Sequence, residues 1–216
     1  ITYSKGGGVL SMIESFLGPE QFRAGIQHYM KKFEFGNATA HDFITAIGEK
    51  SDGIPLETIQ SAFNSFLKQP GIPYLNVELA CKAEDKKSSV TISQSRYLPL
   101  GSKGSNKQTW KVPACFNYAI DGNKHQLCKV LEKQTETIEL PEAGCPAYVM
   151  PNTNGAGYYR FSMPSDDWDS LLANKSELST EEMMSVNNSL QGAISAGKLT
   201  FTDLIEISPN IIASES

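Results

Sequence analysis

The chain is poor in histidine and has no excess of positive charge. His28, His41 and His125 stand far apart, and none belongs to a HExxH arrangement, in which two imidazoles one helical turn apart bind zinc. Lys and Arg number 19 against 24 Asp and Glu, for a net charge of −5. That balance argues against an electrostatic hold on nucleic acid, which depends on clustered basic residues. No apolar run approaches the roughly 20 residues that a bilayer-spanning helix needs, so no membrane span is expected here. The four cysteines form no CxxC pair, which leaves a zinc ribbon or thioredoxin-type motif unsupported. There is no nucleophile elbow, and Gly6-Gly7-Gly8 lacks the Lys-Ser/Thr of a phosphate-binding loop. The sequence opens at Ile1 without Met, basic n-region or signal-peptide core, and is expected to be a piece of a longer protein.

What is present is enough for packed cores: 40% of the 216 residues are hydrophobic. Residues 1–69 carry apolar residues at helical spacing. Val9, Met12, Ile13, Phe16 and Leu17 make one stripe, and Gly18-Pro19 ends that helix and begins the next. Phe22, Ile26, Tyr29, Met30 and Phe33 make the second stripe. Thr39 with Asp42 resembles a capping box opening a third helix, and Pro55 opens a fourth with Leu56, Ile59, Phe63 and Phe66 inward. His28 falls on the second helix as a surface or half-buried residue.

From Pro70-Gly71 onward the period falls to two. Strands are expected at Tyr74–Leu79, Val90–Ile92, Thr109–Val112, Cys115–Ile120, Gln126–Leu131, Thr135–Leu140 and Tyr148–Met150, with polar loops at Lys82–Ser89 and Gly101–Lys107. Asp121-Gly122 signals a type I′ hairpin turn. Short strands at this spacing predict an antiparallel sandwich. Helical periodicity then returns, with Ser165 as a candidate cap, a start at Ser179-Thr180-Glu181-Glu182, and a third helix at Thr200–Ile207. The fold class is α+β, in three parts: helices over 1–69, a β-sandwich over 70–160, and the start of an all-helical region over 161–216.

If a two-residue turn closes Ile120 on Asn123, counting outward sets Cys115 opposite Cys128 at a non-hydrogen-bonded site, where Cα atoms are about 4.5 Å apart and a disulfide can form. A four-residue loop keeps the two opposed at the wider site. Cys81 and Cys145 are then left for each other. Four buried free thiols are the alternative, since Cys is a small hydrophobe. Two disulfides would place the protein in an oxidising, extracytoplasmic compartment. Asn37-Ala38-Thr39, Asn174-Lys175-Ser176 and Asn187-Asn188-Ser189 are sequons, a tripeptide frequent by chance.

Tyr3-Ser4-Lys5-Gly6-Gly7-Gly8-Val9-Leu10-Ser11-Met12 resembles the Tyr-x-Lys-Gly-x-x-Val-Leu-x-Met segment of zinc aminopeptidases of the aminopeptidase N family, the gluzincin metallopeptidases. The likeness continues in order. Leu17-Gly18-Pro19-Glu20-Gln21-Phe22-Arg23, Tyr29 and Gly36-Asn37-Ala38-Thr39 are similar to the family's next helices. Gln69-Pro70-Gly71-Ile72-Pro73 is similar to its junction into a β-sandwich. Trp110-Lys111-Val112-Pro113 and Gly157-Tyr158-Tyr159-Arg160 resemble a sandwich strand and the entry to its helical domain.

The resemblance implies that residues 1–69 end a thermolysin-like catalytic domain whose enzyme removes N-terminal residues from peptides. It also makes Tyr3 a catalytic residue. In such chemistry zinc polarises the scissile carbonyl, and a phenol stabilises the charge that gathers on its oxygen. The structural alternative is that Tyr3 is a packing residue at a helix start. The family's zinc ligands, general-base Glu and amine-binding Glu have no counterpart in this sequence. The expectation is therefore that Zn2+ belongs to the longer protein, that this chain binds none, and that it is inactive alone. The expected partners are a peptide substrate, the rest of the catalytic and helical domains, and further copies of the chain meeting through uncovered apolar surface. A different class stays open: a non-catalytic relative, or a sandwich module that only binds partners. Gly6, Gly7 and Gly8 are expected to serve close packing, and Tyr158-Tyr159-Arg160 a seam between domains.

Overall fold

The computed structural model describes residues 2–82 and 87–212. Four helices come first: α1 (Thr2–Leu17), α2 (Pro19–Lys32), α3 (Ala40–Gly48) and α4 (Leu56–Lys68). α3 starts with a reciprocal cap. The Asp42 N–H donates to Thr39 Oγ1 (3.2 Å) and the Thr39 N–H to Asp42 Oδ2 (2.9 Å), so two otherwise orphaned donors are satisfied.

Seven strands follow: β1 (Pro73–Lys82), β2 (Lys87–Arg96), β3 (Val112–Ile120), β4 (Asn123–Leu131), β5 (Thr135–Glu139), β6 (Tyr148–Met150) and β7 (Arg160–Ser162). They form two sheets, ordered β5-β2-β1-β7 and β4-β3-β6. The pairings are antiparallel except that short β7 runs parallel to β1, with Leu75 beside Phe161. The strands of the first hairpin are longer than their alternation suggests: Lys82 and Lys87–Ser89 are strand rather than loop, and the remainder of that expected loop, 83–86, lies outside the described residues.

β3 is buried almost throughout, and α1 is among the elements packed against it. It is one strand where the sequence suggested two. Thr109–Lys111 stays outside the sheet because side chains satisfy its backbone groups instead. The Trp110 N–H donates to Gln94 Oε1 (2.8 Å), Gln94 Nε2 donates back to Trp110 O (2.9 Å), and the Lys111 N–H donates to Ser65 Oγ (3.1 Å). Pro113 is tolerated inside β3 because, on the hairpin's alternation, its nitrogen faces away from β4, and β6 pairs only with residues 117–119.

The turn between β3 and β4 has Asp121 at φ 50° and Gly122 at φ 78°, the paired positive angles of a type I′ turn. Ile120 pairs with Asn123 and Cys115 with Cys128, and the latter two are disulfide-bonded with Cα atoms 4.0 Å apart. A second disulfide joins Cys81 at the end of β1 to Cys145 before β6, linking the two sheets.

α5 (Ser165–Ala173), α6 (Thr180–Ser195) and α7 (Phe201–Ile212) complete the described chain. Ser165 is the first helical residue rather than the cap; Pro164 takes the capping position and makes no side-chain bond. α6 opens on a Ser179–Glu182 capping box. One apolar core runs from Met12 and Ile13 through Phe66 and Trp110 to Phe161, Trp168 and Leu190, so helices and sheets share their interior.

Candidate functional site

Tyr3 lies in the first turn of α1, and its ring is 96% exposed. Gly7, Ser11 and Glu14 are exposed on the same side, at the i+4, i+8 and i+11 spacing that keeps residues on one helix face. Val9, Met12, Ile13 and Leu17 on the other side are buried. Tyr3 is therefore not a packing residue within the described chain; the fold of α1 holds it outward.

The α1 start is intrinsically weak, since interior glycine costs about 1 kcal/mol of helix propensity relative to Ala. Tertiary contacts hold it. Lys5 Nζ donates to the backbone carbonyl of Gln69 at 2.7 Å, at the C-terminal end of α4. Unpaired carbonyls and the negative end of the helix dipole gather there, which favours an ammonium. Burial pulls the Lys5 pKa below its ordinary value. Gly8 lies under the ring of Tyr158, and any Cβ there would collide with it. The Tyr158 N–H points at Met12 Sδ (3.4 Å), and its ring stands edge-on to Phe66 at 6.3 Å. Only Gly8 of the three glycines serves close packing; a Cβ at Gly6 or Gly7 would meet nothing within 4 Å among the described residues.

The other residues singled out from sequence do not gather around Tyr3. His28 Nε2 lies 2.7 Å from Glu49 Oε2, an exposed contact beside the Lys32–Glu49 ion pair. His125 stacks on Tyr118 at 5.5 Å and meets Glu142 at 3.2 Å; the Tyr118 hydroxyl also donates to Glu142. Tyr159 donates to Pro151 O (2.8 Å), while Arg160 donates to Asn188 O (2.7 Å) and covers the Tyr97 ring at 4.6 Å. The Arg160 contacts join β7 to α6 and to the residue that follows β2. Among the described residues, no three His, Cys, Asp or Glu side chains come together as a metal site.

Residues that sequence reasoning did not single out are Gln69 and Asn152. The Gln69 side chain donates to Ser65 O (3.1 Å) and Thr109 O (2.9 Å). Asn152, almost fully buried, accepts from the Gly157 N–H (2.7 Å) and donates to Ser185 Oγ (2.9 Å). Each sits in or near a quoted motif, but polar residues in loops have no periodicity to announce them. Asn152 borders a cleft of about 430 Å³ between α1 and α6, whose walls include Ser11, Asn154, Arg160, Glu181 and Asn188. Ser11 is two turns along α1 from Tyr3 and on the same face.

Residues 1–66 match the Peptidase family M1 domain. Over nearly its whole length, that stretch included, the chain is 27% identical over 207 residues to a protein named Aminopeptidase 2, mitochondrial, of Saccharomyces cerevisiae, covering 96% of this chain and 20% of that protein. It is 28% identical over 205 residues to the Tricorn protease-interacting factor F2 of Thermoplasma acidophilum, covering 95% of this chain and 23% of that protein. It is 30% identical over 184 residues to the glutamyl aminopeptidase of Sus scrofa, covering 82% of this chain and 18% of that protein. The chain thus spans about a fifth of the length of the curated relatives it matches. The M1 domain match over the first helices and the likeness to aminopeptidases across nearly all of its length together support a relationship of this chain to the M1 peptidases, the family of aminopeptidase N.

Proposed function

We propose that this chain is the part of a zinc-dependent aminopeptidase that supplies the oxyanion-stabilising tyrosine, Tyr3, and that it hydrolyses no peptide by itself. The observation that carries the reading is the 96% exposure of Tyr3 on a helix whose opposite face is buried. When water adds to a peptide carbonyl, negative charge develops on its oxygen. A phenol with a pKa near 10 stays protonated at neutral pH and can donate a hydrogen bond to that oxygen. The described residues do not fit a zinc ion. In this reading the metal, the general base and the group that binds the free amine belong to other parts of a longer protein, which removes N-terminal residues from peptides. Residues 1–69 would end its catalytic domain, 70–160 form its β-sandwich, and 161–216 begin its helical domain.

The 216-residue chain, incubated with aminoacyl fluorogenic substrates with and without added Zn2+, is expected to give no turnover above blank. Turnover that disappears with chelator would overturn the assignment of the metal site to another part of the protein.

The two disulfides support an oxidising, extracytoplasmic location. Met30, Phe35, Leu67 and Met184 are exposed apolar side chains, and such surface drives association where it is contiguous. The chain alone should therefore form dimers or larger species. A light-scattering mass that stays monomeric up to high concentration would count against that.

A further inference from the structure

Tyr3 stands exposed in the first turn of a helix whose next residues include three glycines, so helix propensity does little to fix its position and contacts with other elements must do so. A set of hydrogen bonds, joined through short stretches of backbone, leads from the sheet region to Lys5, two residues from it. Gln94 of β2, almost fully buried, grips both backbone groups of Trp110. On either side, Thr109 O accepts from Gln69 Nε2 (2.9 Å), and the Lys111 N–H donates to Ser65 Oγ (3.1 Å). Gln69 and Ser65 both belong to the end of α4, and Gln69 O accepts from Lys5 Nζ at 2.7 Å. Lys5 is two residues from Tyr3.

We propose that Lys5 and Gln69 are positioning residues, through which the sheet region sets the place of the Tyr3 hydroxyl. The proposal rests on the reading of Tyr3 as oxyanion donor; Lys5 and Gln69 act through it. Lys5 is suited to the task because its ammonium spans from α1 to a helix C-terminus, where a cation is favoured. Gln69 is suited because one residue offers its carbonyl to α1 and its amide to Thr109. Without the tie, the first turns of α1 open locally while the core face from Val9 onward stays packed.

Two measurements test this and separate its failure from failure of the Tyr3 reading. In the 216-residue chain, amide hydrogen exchange at residues 6–8 should speed up about tenfold in Lys5→Met, with Lys5→Arg restoring most of the protection. Gln69→Leu should have a smaller effect of the same sign, and it serves as the second variant if Lys5→Met fails to fold. Unchanged exchange in the variant examined overturns the tie. In the longer enzyme, Lys5→Met should lower kcat about tenfold with KM nearly unchanged, as expected for a displaced catalytic group. It should have almost no further effect in a Tyr3→Phe background, because the two residues act as one unit. Equal losses in both backgrounds overturn the positioning role. If Tyr3→Phe leaves kcat intact, the oxyanion reading falls and the positioning proposal with it, whereas the exchange result still decides whether Lys5 holds α1.

Discussion

Tyr3→Phe in the longer enzyme that carries this segment should lower kcat by about 10²–10³-fold, the usual loss for removing one oxyanion donor, or roughly 2.7–4 kcal/mol. The substitution deletes only the phenolic oxygen. KM should change little, because the substrate's neutral carbonyl gains less from the donor than the charged intermediate does. The fold should not register the change. The ring is 96% exposed, and a surface substitution of this kind shifts stability by less than about 0.5 kcal/mol. Thermal unfolding of the 216-residue Tyr3→Phe chain should thus match the parent within about 2 °C. A kcat unchanged by the substitution removes Tyr3 from the chemistry. A collapse of the melting temperature would instead show that the residue is structural.

Removing the disulfide between Cys81 and Cys145 should cause the largest loss of stability available outside the core. It closes a sequence separation of 64 residues and joins the two sheets, whereas Cys115–Cys128 closes 13 within a single hairpin. In the loop-entropy account these correspond to about 4 and about 3 kcal/mol of restriction on the unfolded chain. At about 2–4 °C per kcal/mol for a chain of this size, Cys81→Ser with Cys145→Ser should lower the melting temperature by about 8–16 °C. The hairpin pair should matter less than its entropy suggests, since the type I′ turn and the β3–β4 ladder already bring its ends together. Cys81 and Cys145 are exposed, so little burial is lost with them and the effect isolates the cross-link. Thiol labelling of the denatured oxidised chain should modify none of the four cysteines, and all four after reduction. Labels without reductant would show that the bridges are not made. A Cys81/Cys145 variant that melts no lower than the Cys115/Cys128 variant would show that the sheets need no such clamp.

Much of the local structure was legible because its causes are local. The caps of α3 and α6 depend on two residues three apart, and the hairpin register follows from one turn. That register sets Cys115 beside Cys128. Other features have no local cause. β7 is three residues long and pairs parallel to β1, whose partner positions are some 86 residues earlier. Thr109–Lys111 has strand-like composition but takes its hydrogen-bond partners from Gln69, Ser65 and Gln94, so no ladder forms there. Ser165 has a capping side chain, yet Pro164 holds the position where it would act.

The amino-acid sequence by itself determined the succession of a helical, a strand-rich and a second helical region, the turn that aligns two cysteines, and the motifs carrying the family likeness, because each depends on residues a few positions apart. Only the tertiary structure decided that Tyr3 faces outward, that Gly8 rather than Gly6 or Gly7 meets a ring, and that Lys5 ends on Gln69. Those outcomes depend on where α4, Tyr158 and the sheets lie in space, and the packing of distant elements around one shared core sets those places.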